Sequence, residues 1–362
     1  MKVGIVGLTN VGKSTLFTAL TRVKVPVNNF PFCTIDPNVG IVSIPDPRVE
    51  KLAEITRPQK IVHATVEFVD VAGLVRGASK GEGLGNQFLG KMREMDLLLI
   101  VLRVFPDPEV VHVEGEVNPV RDLELVLTEI AFSDLEIVSR RLGYLEKVPK
   151  GPDIKLQQEK EALKVMQPLL ERGEFKSLAS FPSEMKPTLQ GYGFLTLKMM
   201  IACLNISEEQ LQEEKLEPYL SHLERLFPFI PVIKVCALLE RELWDLSEEE
   251  RKEYILEAGL GHSVLEEIIS RSYQMLNLIT FFTIQSSEVR AWSIPVGTKA
   301  QTAAGKIHSD MERGFIRAEV VRWDDLVRCG GWAQARERGL LKSEGRDYRV
   351  QDGDVIYFKF QV

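Results

Sequence analysis

Short apolar runs alternate with helical patterns over the first two thirds of the chain. Five of these runs stand out, at residues 3–6, 65–70, 97–104, 199–204 and 232–235. Continuous apolar runs of this length are typical of parallel strands that are buried on both faces of a sheet. The pattern therefore predicts an α/β domain in which helices cover both faces of a parallel sheet.

The spacing of apolar residues becomes helical between the third and the fourth of these runs. From residue 121 to 147 they recur every three or four positions, which predicts one face of a long helix: Leu127, Ala131, Leu135, Val138, Leu142 and Leu145. A Pro- and Gly-containing break at 148–153 follows, and Leu163, Met166 and Leu170 then indicate a second helix. We therefore expect an α-helical coiled-coil hairpin inserted in the α/β domain.

The C-terminal part of the chain has a third character. It contains four strand-like runs and one helical pattern, at 281–284, 288–294, 317–321, 354–360 and 302–312. A mixed sheet crossed by one helix is expected here. Together the three patterns predict a discontinuous α/β domain, a helical insertion and a separate C-terminal domain, over 1–120 with 198–277, 121–197 and 278–362, respectively.

Composition narrows the functional classes. The 362 residues include 45 Lys and Arg against 52 Asp and Glu, a net charge of −7, which argues against a protein that coats nucleic acid non-specifically. Four scattered cysteines without CxxC spacing predict neither a zinc cluster nor a disulfide framework. Without a signal-peptide pattern or a membrane-length apolar run, a cytoplasmic protein with neither membrane nor DNA partners is expected.

The first motif that indicates chemistry is GLTNVGKS at residues 7–14, which fits the phosphate-binding pattern GxxxxGK[ST] at every position. Gly7 and Gly12 allow the backbone to wrap closely around a phosphate. Lys13 places a positive charge between the β- and γ-phosphates, and Ser14 offers a hydroxyl to Mg²⁺. Because an apolar run precedes the motif and a helical pattern follows it, we predict a nucleoside triphosphate site.

Further residues extend this prediction to a magnesium site and a switch. Asp70 and Gly73 form the DxxG pattern after an apolar run, in which the aspartate joins the magnesium shell and the glycine N–H contacts the γ-phosphate. Thr34, between the two motifs, is expected to supply a second hydroxyl to Mg²⁺ in the triphosphate state. The glycine-rich segment 76–88 is predicted to be a switch that becomes ordered on the γ-phosphate.

The residue after DxxG raises the question of how hydrolysis is catalysed. Leu74 stands where Ras-type GTPases have a glutamine that positions water, and leucine cannot do so. Either hydrolysis is slow or another group acts. Asn10 is one candidate, because its side-chain oxygen would hold a K⁺ ion beside the phosphates. His112, on the loop after the third apolar run, is the other candidate.

Residues 205–208 read NISE where a GTPase has NKxD. In NKxD the aspartate accepts hydrogen bonds from guanine and the lysine covers the base. Here Glu208 is one methylene longer and Ile206 replaces the lysine, and both changes weaken the selection of guanine. Adenine becomes the alternative, read by the backbone of Ile206 and the side-chain amide of Asn205.

The sequence as a whole resembles the YchF/Obg-like ATPase family of P-loop proteins. The segments that carry the resemblance are 7–15, 28–40, 70–88, 205–208, 288–320 and 347–362. The resemblance implies a Ras-like nucleotide domain, a coiled-coil insertion and a C-terminal TGS domain of β-grasp form. It also implies hydrolysis of ATP, often with GTP accepted, and association with ribosomes in translation or stress control.

The resemblance also assigns roles to individual residues. Phosphate contacts fall on six consecutive residues: Asn10, Val11, Gly12, Lys13, Ser14 and Thr15. Magnesium ligands fall on Ser14 and Thr34, and the base contact falls on Ile206 next to Asn205 and Glu208. The histidine that the family has on this loop aligns with His112.

Three functions remain open on the sequence alone. The first is a hydrolase of ATP and GTP that reports its nucleotide state to the ribosome, with ribosomal RNA or ribosomal proteins as partner. The second is a ribosome or RNA adaptor whose hydrolysis is incidental, which Leu74 favours. The third is a GTP-specific ribosome-assembly GTPase of Obg type, against which the NISE segment argues.

Overall fold

The computed structural model describes residues 1–22, 38–71, 73, 77, 84–107, 110–148, 153–211, 216–257, 263–285 and 287–361. The strands in these ranges are β1 (Lys2–Val6), β2 (Val39–Ser43), β3 (Lys60–Val62), β4 (Thr65–Asp70), β5 (Leu97–Arg103), β6 (Met199–Asn205), β7 (Val232–Val235), β8 (Leu278–Ile284), β9 (Glu288–Pro295), β10 (Phe315–Arg322), β11 (Lys342–Glu344) and β12 (Asp354–Phe360).

The α-helices in the same ranges are α1 (Lys13–Arg22), α2 (Pro47–Thr56), α3 (Leu84–Arg93), α4 (Pro119–Lys147), α5 (Ile154–Glu171), α6 (Phe175–Ala179), α7 (Lys186–Leu189), α8 (Glu217–Leu226), α9 (Ala237–Glu242), α10 (Glu248–Glu257), α11 (Val264–Met275), α12 (Ala300–Ile307), α13 (Ser309–Arg313), α14 (Trp323–Cys329) and α15 (Trp332–Glu337). None of these helices has both the length and the apolar character that crossing a bilayer requires.

The chain forms two compact units. The first consists of Met1–Ile41 and Glu67–Ile268, and the second of Val42–Val66 and Ile269–Val362. The helical hairpin is part of the first unit, and a segment from the N-terminal third of the chain is part of the second. The division into three domains predicted from the sequence stays a prediction.

The first sheet has the strand order β2-β4-β1-β5-β6-β7, and its strands β4, β1, β5, β6 and β7 pair in parallel. All seven residues of β5 are buried, as expected for a central strand with helices on both faces. The predicted parallel α/β sheet is confirmed. Because parallel strands end at one edge, the loops after β1, β4, β5, β6 and β7 are brought together there.

The predicted hairpin is formed by α4 and α5. The Asn118 side chain caps α4 by accepting a hydrogen bond from the Arg121 backbone N–H. Arg141 on α4 donates two hydrogen bonds to Glu159 on α5, with lengths of 2.7 and 3.0 Å. The apolar positions of the two helices share one core cluster, which includes Val138 and Leu163. This seam is what the spacing of apolar residues predicted.

The second sheet has the order β11-β10-β12-β8-β9-β3. Its β8–β9, β10–β11 and β10–β12 pairs are antiparallel, whereas β12–β8 and β3–β9 are parallel. The single helix expected over 302–312 is two helices, because His308 between α12 and α13 has an extended backbone with φ −160° and ψ 141°. One face of the sheet packs on α12 through a core that includes Phe281, Ala304 and Phe358.

Residues 42–66 add β3 and α2 to this second unit. Strand β3 pairs with β9 at the sheet edge. Arg48 on α2 forms ion pairs with Asp46 and Asp352 at 2.8 and 2.6 Å, and Asp352 also accepts a hydrogen bond from the Thr280 backbone N–H. A C-terminal boundary at residue 278 leaves these elements out.

Candidate nucleotide-binding site

The loop between β1 and α1 has a backbone that glycine makes possible. Gly7 and Gly12 have φ values of +146° and +94°, and Asn10 between them is left-handed with φ +62°. A Cβ atom on Gly12 would lie 2.2 Å from the side-chain nitrogen of Asn205. Gly12 is therefore required both for its dihedral angles and for the close approach of the Asn205 side chain at the end of β6.

Lys13 begins α1 and its side chain turns back into this loop. Its ammonium donates a 2.6 Å hydrogen bond to the carbonyl oxygen of Leu8, and the residue is buried. Burial lowers the pKa of Lys13 to about 8, although the nearby Asp70 carboxylate opposes the shift. The positive charge thus lies inside the loop, next to the N-terminus of a helix, which is a typical environment for binding phosphate.

Ser14 and Asp70 meet beside the phosphate loop. The Ser14 hydroxyl donates a 2.8 Å hydrogen bond to a carboxylate oxygen of Asp70, the last residue of β4. A hydroxyl and a carboxylate are hard oxygen donors, the type that Mg²⁺ prefers, so the residues fit a magnesium site. Thr34, the other predicted ligand, lies outside the described residues.

Gly73 approaches the phosphate loop closely. A Cβ atom on Gly73 would lie 2.6 Å from the Thr9 methyl group and 3.2 Å from the Lys13 ammonium. Gly73 therefore lies next to Thr9 and to the Lys13 ammonium. Gly77 belongs to the predicted switch at residues 76–88. Its backbone N–H donates a 2.7 Å hydrogen bond to the Glu129 carboxylate on α4. Leu74 lies outside the described residues.

Asn205 connects two loops to the end of its own strand. Its side-chain nitrogen donates a 3.0 Å hydrogen bond to the Val11 carbonyl, and its side-chain oxygen accepts a 3.1 Å hydrogen bond from the Ala237 N–H. The residue is buried. The amide therefore fixes the phosphate loop to the loop after β7, and its predicted contact with the base stays a prediction.

The other two residues of the predicted base site have different surroundings. Ile206 is buried, and its backbone N–H donates a 2.9 Å hydrogen bond to the Val235 carbonyl, which leaves its carbonyl oxygen to contact a base. Glu208 begins a short 3₁₀ turn that Ser207 and Gln210 cap. The Tyr254 hydroxyl donates a 2.7 Å hydrogen bond to the Glu208 carboxylate, and this bond raises the pKa of Tyr254.

The loop after β5 lies against the phosphate loop. The Asn10 side-chain nitrogen donates a 3.2 Å hydrogen bond to the Val111 carbonyl. Arg103, the last residue of β5, is almost fully buried, and its guanidinium donates to the carbonyls of Val110 and Phe105 at 2.8 and 2.9 Å. These bonds bring the two candidates for hydrolysis, Asn10 and the loop that carries His112, next to each other.

His112 itself is buried against the start of α4. Its Nε2 lies 2.9 Å from a carboxylate oxygen of Asp122, and its Nδ1 accepts a 3.2 Å hydrogen bond from the Glu114 backbone N–H. Burial raises the pKa of Asp122, while the positive charge of Arg121 lowers it in part. The imidazole is therefore held by α4 in this structure and is not presented to the phosphate loop.

Three residues of this site were missed from the sequence, namely Arg103, Asp122 and Tyr254. An arginine that ends a fully apolar strand is a local signal, because a charged group is rarely buried without partners. An aspartate in the first turn of a helix reads equally well as a stabiliser of the helix dipole, so Asp122 gave no such signal. Tyr254 meets Glu208 from 46 residues away, which no local pattern indicates.

Comparisons with known proteins agree with this geometry. Residues 2–134 match a family described as "50S ribosome-binding GTPase", and residues 278–361 match the YchF-GTPase_C family, described as a "Protein of unknown function". A solved structure of the YchF GTPase of Schizosaccharomyces pombe superposes with a TM-score of 0.87 at 34% identity. The superposition covers 99% of this chain and 97% of the Schizosaccharomyces pombe chain.

Curated relatives match along the whole of this chain. A protein of Escherichia coli O157:H7 named "Ribosome-binding ATPase YchF" is 45% identical over 363 residues, or 100% of this chain and 99% of its own. "Obg-like ATPase 1" of Xenopus laevis is 43% identical over 368 residues, or 100% of this chain and 93% of its own. Identity at this level along the whole chain, together with the shared fold, shows that the protein belongs to the YchF/Obg-like ATPase family.

Proposed function

We propose that this protein is a ribosome-associated P-loop nucleotidase that binds and hydrolyses ATP, and GTP to a lesser extent, as a switch in translation or stress regulation. The observation that carries the proposal is the convergence of Lys13, Ser14 and Asp70 at the carboxyl edge of the parallel sheet. Full-length relatives that are named ribosome-binding ATPases support the ribosome as partner. Acting on ribosomes, the protein would work in the cytoplasm.

Mg²⁺ is the cofactor that the oxygen donors at this site support. Ser14 and Asp70 would hold it, with Thr34 as the third residue, and the bound ion would neutralise charge on the β- and γ-phosphates. The N–H groups of residues Asn10 to Thr15 would bind the phosphate oxygens, and Gly73 would contact the γ-phosphate. A K⁺ ion at Asn10 is a further proposal, supported by the position of that side chain beside the loop after β5.

A preference for adenine would follow from the hydrogen-bonding groups that residues 205–208 still offer to a base. With its N–H bonded to Val235, Ile206 offers a carbonyl oxygen, which accepts a hydrogen bond from an amino group. Adenine presents its N6 amino group at the position where guanine presents its O6 oxygen. A carbonyl that faces O6 would be repelled, so this edge would favour ATP.

Hydrolysis has two candidate catalysts in this proposal. His112 would act only after it leaves Asp122, so its position fits an enzyme with a low basal rate that a partner raises. Asn10 would act through the cation that it binds. The same burial of His112 favours the second candidate function, in which the protein is a ribosome or RNA adaptor whose turnover is incidental.

Multiple-turnover assays with ATP and with GTP, each with and without purified ribosomes, test the proposal. We expect the wild type to prefer ATP, to turn over slowly alone and to accelerate with ribosomes, whereas Lys13→Ala should lose both binding and turnover. Turnover that ribosomes do not change, despite co-sedimentation, would favour the adaptor. A strong preference for GTP would favour the Obg-type GTPase.

A further inference from the structure

The guanidinium of Arg103 is the only charged group in a strand that is otherwise apolar. Strand β5 reads LLLIVLR, all seven of its residues are buried, and Arg103 is 1% exposed. Its hydrogen bonds within the described part of the chain all go to backbone carbonyl oxygens, and no carboxylate there forms an ion pair with it. A buried charge is costly, and an apolar side chain would fill the end of a strand without that cost. The residue type therefore points to a task for the donors of the guanidinium.

Those donors connect two loops at the carboxyl edge of the sheet. Three carbonyl oxygens of the loop after β5 accept from Nε, Nη2 and Nη1, at 2.9, 3.3 and 2.8 Å, and they belong to Phe105, Asp107 and Val110, respectively. Nη1 also lies 3.5 Å from the carbonyl oxygen of Asn10 in the phosphate loop. One side chain therefore holds both the segment that leads to His112 and the loop that would bind the phosphates.

A neighbouring residue holds the next carbonyl of the phosphate loop. Arg103 is paired directly with Asn205 across β5 and β6, and paired residues of adjacent strands project to the same face of the sheet. The Asn205 side chain donates to the carbonyl of Val11, the residue after Asn10. Two polar side chains in one row thus hold two consecutive carbonyls of the phosphate loop, and of the two only Arg103 also bonds the loop that carries His112.

We propose that Arg103 is a positioning residue for hydrolysis, which fixes the base of the loop that carries His112 against the phosphate loop. The inference rests on the proposed function, because it names the residue through which His112 would be placed. Val110, where the guanidinium makes its shortest bond, lies two positions before His112. The imidazole can therefore leave Asp122 while the base of its loop stays beside the phosphates. Arg103 itself would not contact the nucleotide, since each of its three nitrogens already donates to a carbonyl oxygen.

Arg103→Lys separates the geometry of the guanidinium from its charge. Arginine has five N–H donors in a planar fork, whereas the lysine ammonium has three donors on one nitrogen. The acceptors of Arg103 are spread over three nitrogens, so a lysine would keep the charge and lose bonds to at least one of the loops. Arg103→Gln removes the charge as well.

The experiment compares steady-state ATP hydrolysis by the full chain and its variants, with purified ribosomes present and absent. We expect kcat of Arg103→Lys to fall at least about tenfold, because a displacement of about 1 Å in a catalytic group costs up to about a hundredfold. ADP affinity should stay within about threefold of the wild type, since the charge and the phosphate loop are retained. In a His112→Ala background the same substitution should lower kcat less than about twofold further, since both changes would remove one function.

Arg141→Lys is the matched control. It makes the same change at a guanidinium of the same unit that donates two hydrogen bonds, to Glu159 in the hairpin. Its kcat should stay within about twofold of the wild type. Thermal denaturation of each variant shows whether the first unit stays folded. Arg103→Gln, which should lose at least as much kcat as Arg103→Lys, replaces that variant if it does not fold.

Hydrogen–deuterium exchange measures the link between the two loops without turnover. In Arg103→Lys the amides of residues 8–12 and 110–115 should exchange at least about threefold faster than in the wild type, while those of α5 should not change. In the wild type, saturating ADP should slow exchange in both segments together. This last measurement needs no variant, so protection of residues 8–12 without protection of 110–115 would overturn the proposal by itself.

Wild-type kcat in Arg103→Lys would also overturn it, because charge alone would then suffice. So would equal losses of kcat in the wild-type and His112→Ala backgrounds, or a loss of ADP affinity and thermal stability as large as the loss of kcat, which would indicate a structural role. If the wild type hydrolyses ATP and Arg103→Lys does so equally well, this inference fails and the proposed function stands. If the wild type hydrolyses no ATP even with ribosomes, but both loops exchange faster in Arg103→Lys, the proposed function fails and the positioning of the loops by Arg103 stands.

Discussion

At the scale of single residues, the buried ammonium of Lys13 connects nucleotide binding to pH. A triphosphate beside Lys13 favours its charged form, so the pKa of the bound residue lies above the value of about 8 in the free protein. Below pH 8 the free protein is already protonated and ATP affinity should be constant. Above pH 8, binding must take up a proton, and affinity should fall by up to about tenfold per pH unit.

Calorimetry in two buffers of different ionisation enthalpy measures this uptake directly. At about pH 9 we expect close to one proton to be bound per ATP, and at about pH 7 close to none. Lys13→Arg is the control, because arginine keeps its charge throughout this range and any residual binding should not take up protons. Equal proton uptake by the wild type at both pH values would contradict the prediction.

The proposed selection of the base can also be tested at single residues. Ile206→Lys together with Glu208→Asp restores the NKxD pattern and should shift preference toward GTP by about 1–3 kcal/mol, the scale for pairing a buried polar edge. The shorter carboxylate would accept from the two guanine donors and would no longer reach Tyr254. Competition binding of ATP against GTP measures the shift. Tyr254→Phe alone is the control, and an equal shift there would mean that release from Tyr254 is the cause.

At the scale of elements, α4 contacts several segments that adjoin the nucleotide site. Besides the contact of Asp122 with His112, Glu129 accepts a hydrogen bond from Gly77, and Asp134 forms a 2.7 Å ion pair with Arg93 of α3. The second half of the same helix forms the hairpin with α5. Helix α4 thus connects the hairpin to the segments that carry His112 and Gly77.

Asp122→Asn tests whether α4 restrains His112. His112 Nδ1 accepts a hydrogen bond from the Glu114 N–H, and Nε2 lies 2.9 Å from a carboxylate oxygen of Asp122. Asparagine retains an oxygen for Arg121 but places an uncharged NH₂ group opposite Nε2. Losing the contact with the carboxylate should raise basal ATP hydrolysis about tenfold, since about 1.4 kcal/mol shifts a population by that factor.

The control for this prediction is the same substitution in a His112→Ala background. If released His112 is the cause, the gain should disappear there, whereas a general loosening of α4 would persist. A lower rate in Asp122→Asn would show instead that Asp122 orients His112 in the active state. Turnover assays without ribosomes distinguish these results.

The elements themselves were predicted unevenly. Strands β4, β7 and β12 begin and end where the apolar pattern predicted, because each is a short continuous run between polar residues. The three-residue strands β3 and β11 were missed, since so short a segment has no periodicity and is a strand only by virtue of its neighbour. His308 divides one predicted helix into two, and its extended backbone is not visible in helix propensity.

At the scale of the whole molecule, the second unit depends on a segment distant in sequence. Arg48 on α2 lies between Asp46 and Asp352, and its guanidinium is 5.3 Å from the centre of the Phe282 ring. Arg48→Ala removes this half-buried link and should lower the free energy of unfolding of that unit by about 2 kcal/mol. A fragment that begins at residue 278 lacks α2 and β3 altogether and should be less stable still.

Denaturant unfolding followed by tryptophan fluorescence measures the effect of Arg48→Ala. Trp292, Trp323 and Trp332 report on the second unit, to which they belong. Arg172→Ala is the matched control, since its ion pair with Glu174 is exposed, and it should change stability by less than about 0.5 kcal/mol. Unfolding of the 278–362 fragment at the same denaturant concentration as the full chain would contradict the contribution of residues 42–66.

The sequence alone determined the features that depend on near neighbours along the chain. The turn of the phosphate loop follows from the positions of Gly7 and Gly12, and the hairpin follows from helical spacing. The ligand chemistry proposed for Lys13, Ser14 and Asp70 follows from their residue types. For these features, a few consecutive residues contain all the information that the physics needs.

Tertiary structure alone decided what depends on contacts between distant residues. The side-chain amide of Asn205 donates a hydrogen bond to the Val11 carbonyl across 194 positions and so positions a distant loop. His112 is buried because Asp122 lies beside it, and β3 joins the second sheet because β9 offers a free edge. In each case the partner is selected by packing of the whole chain, and an apolar pattern does not specify which strand or helix will be its neighbour.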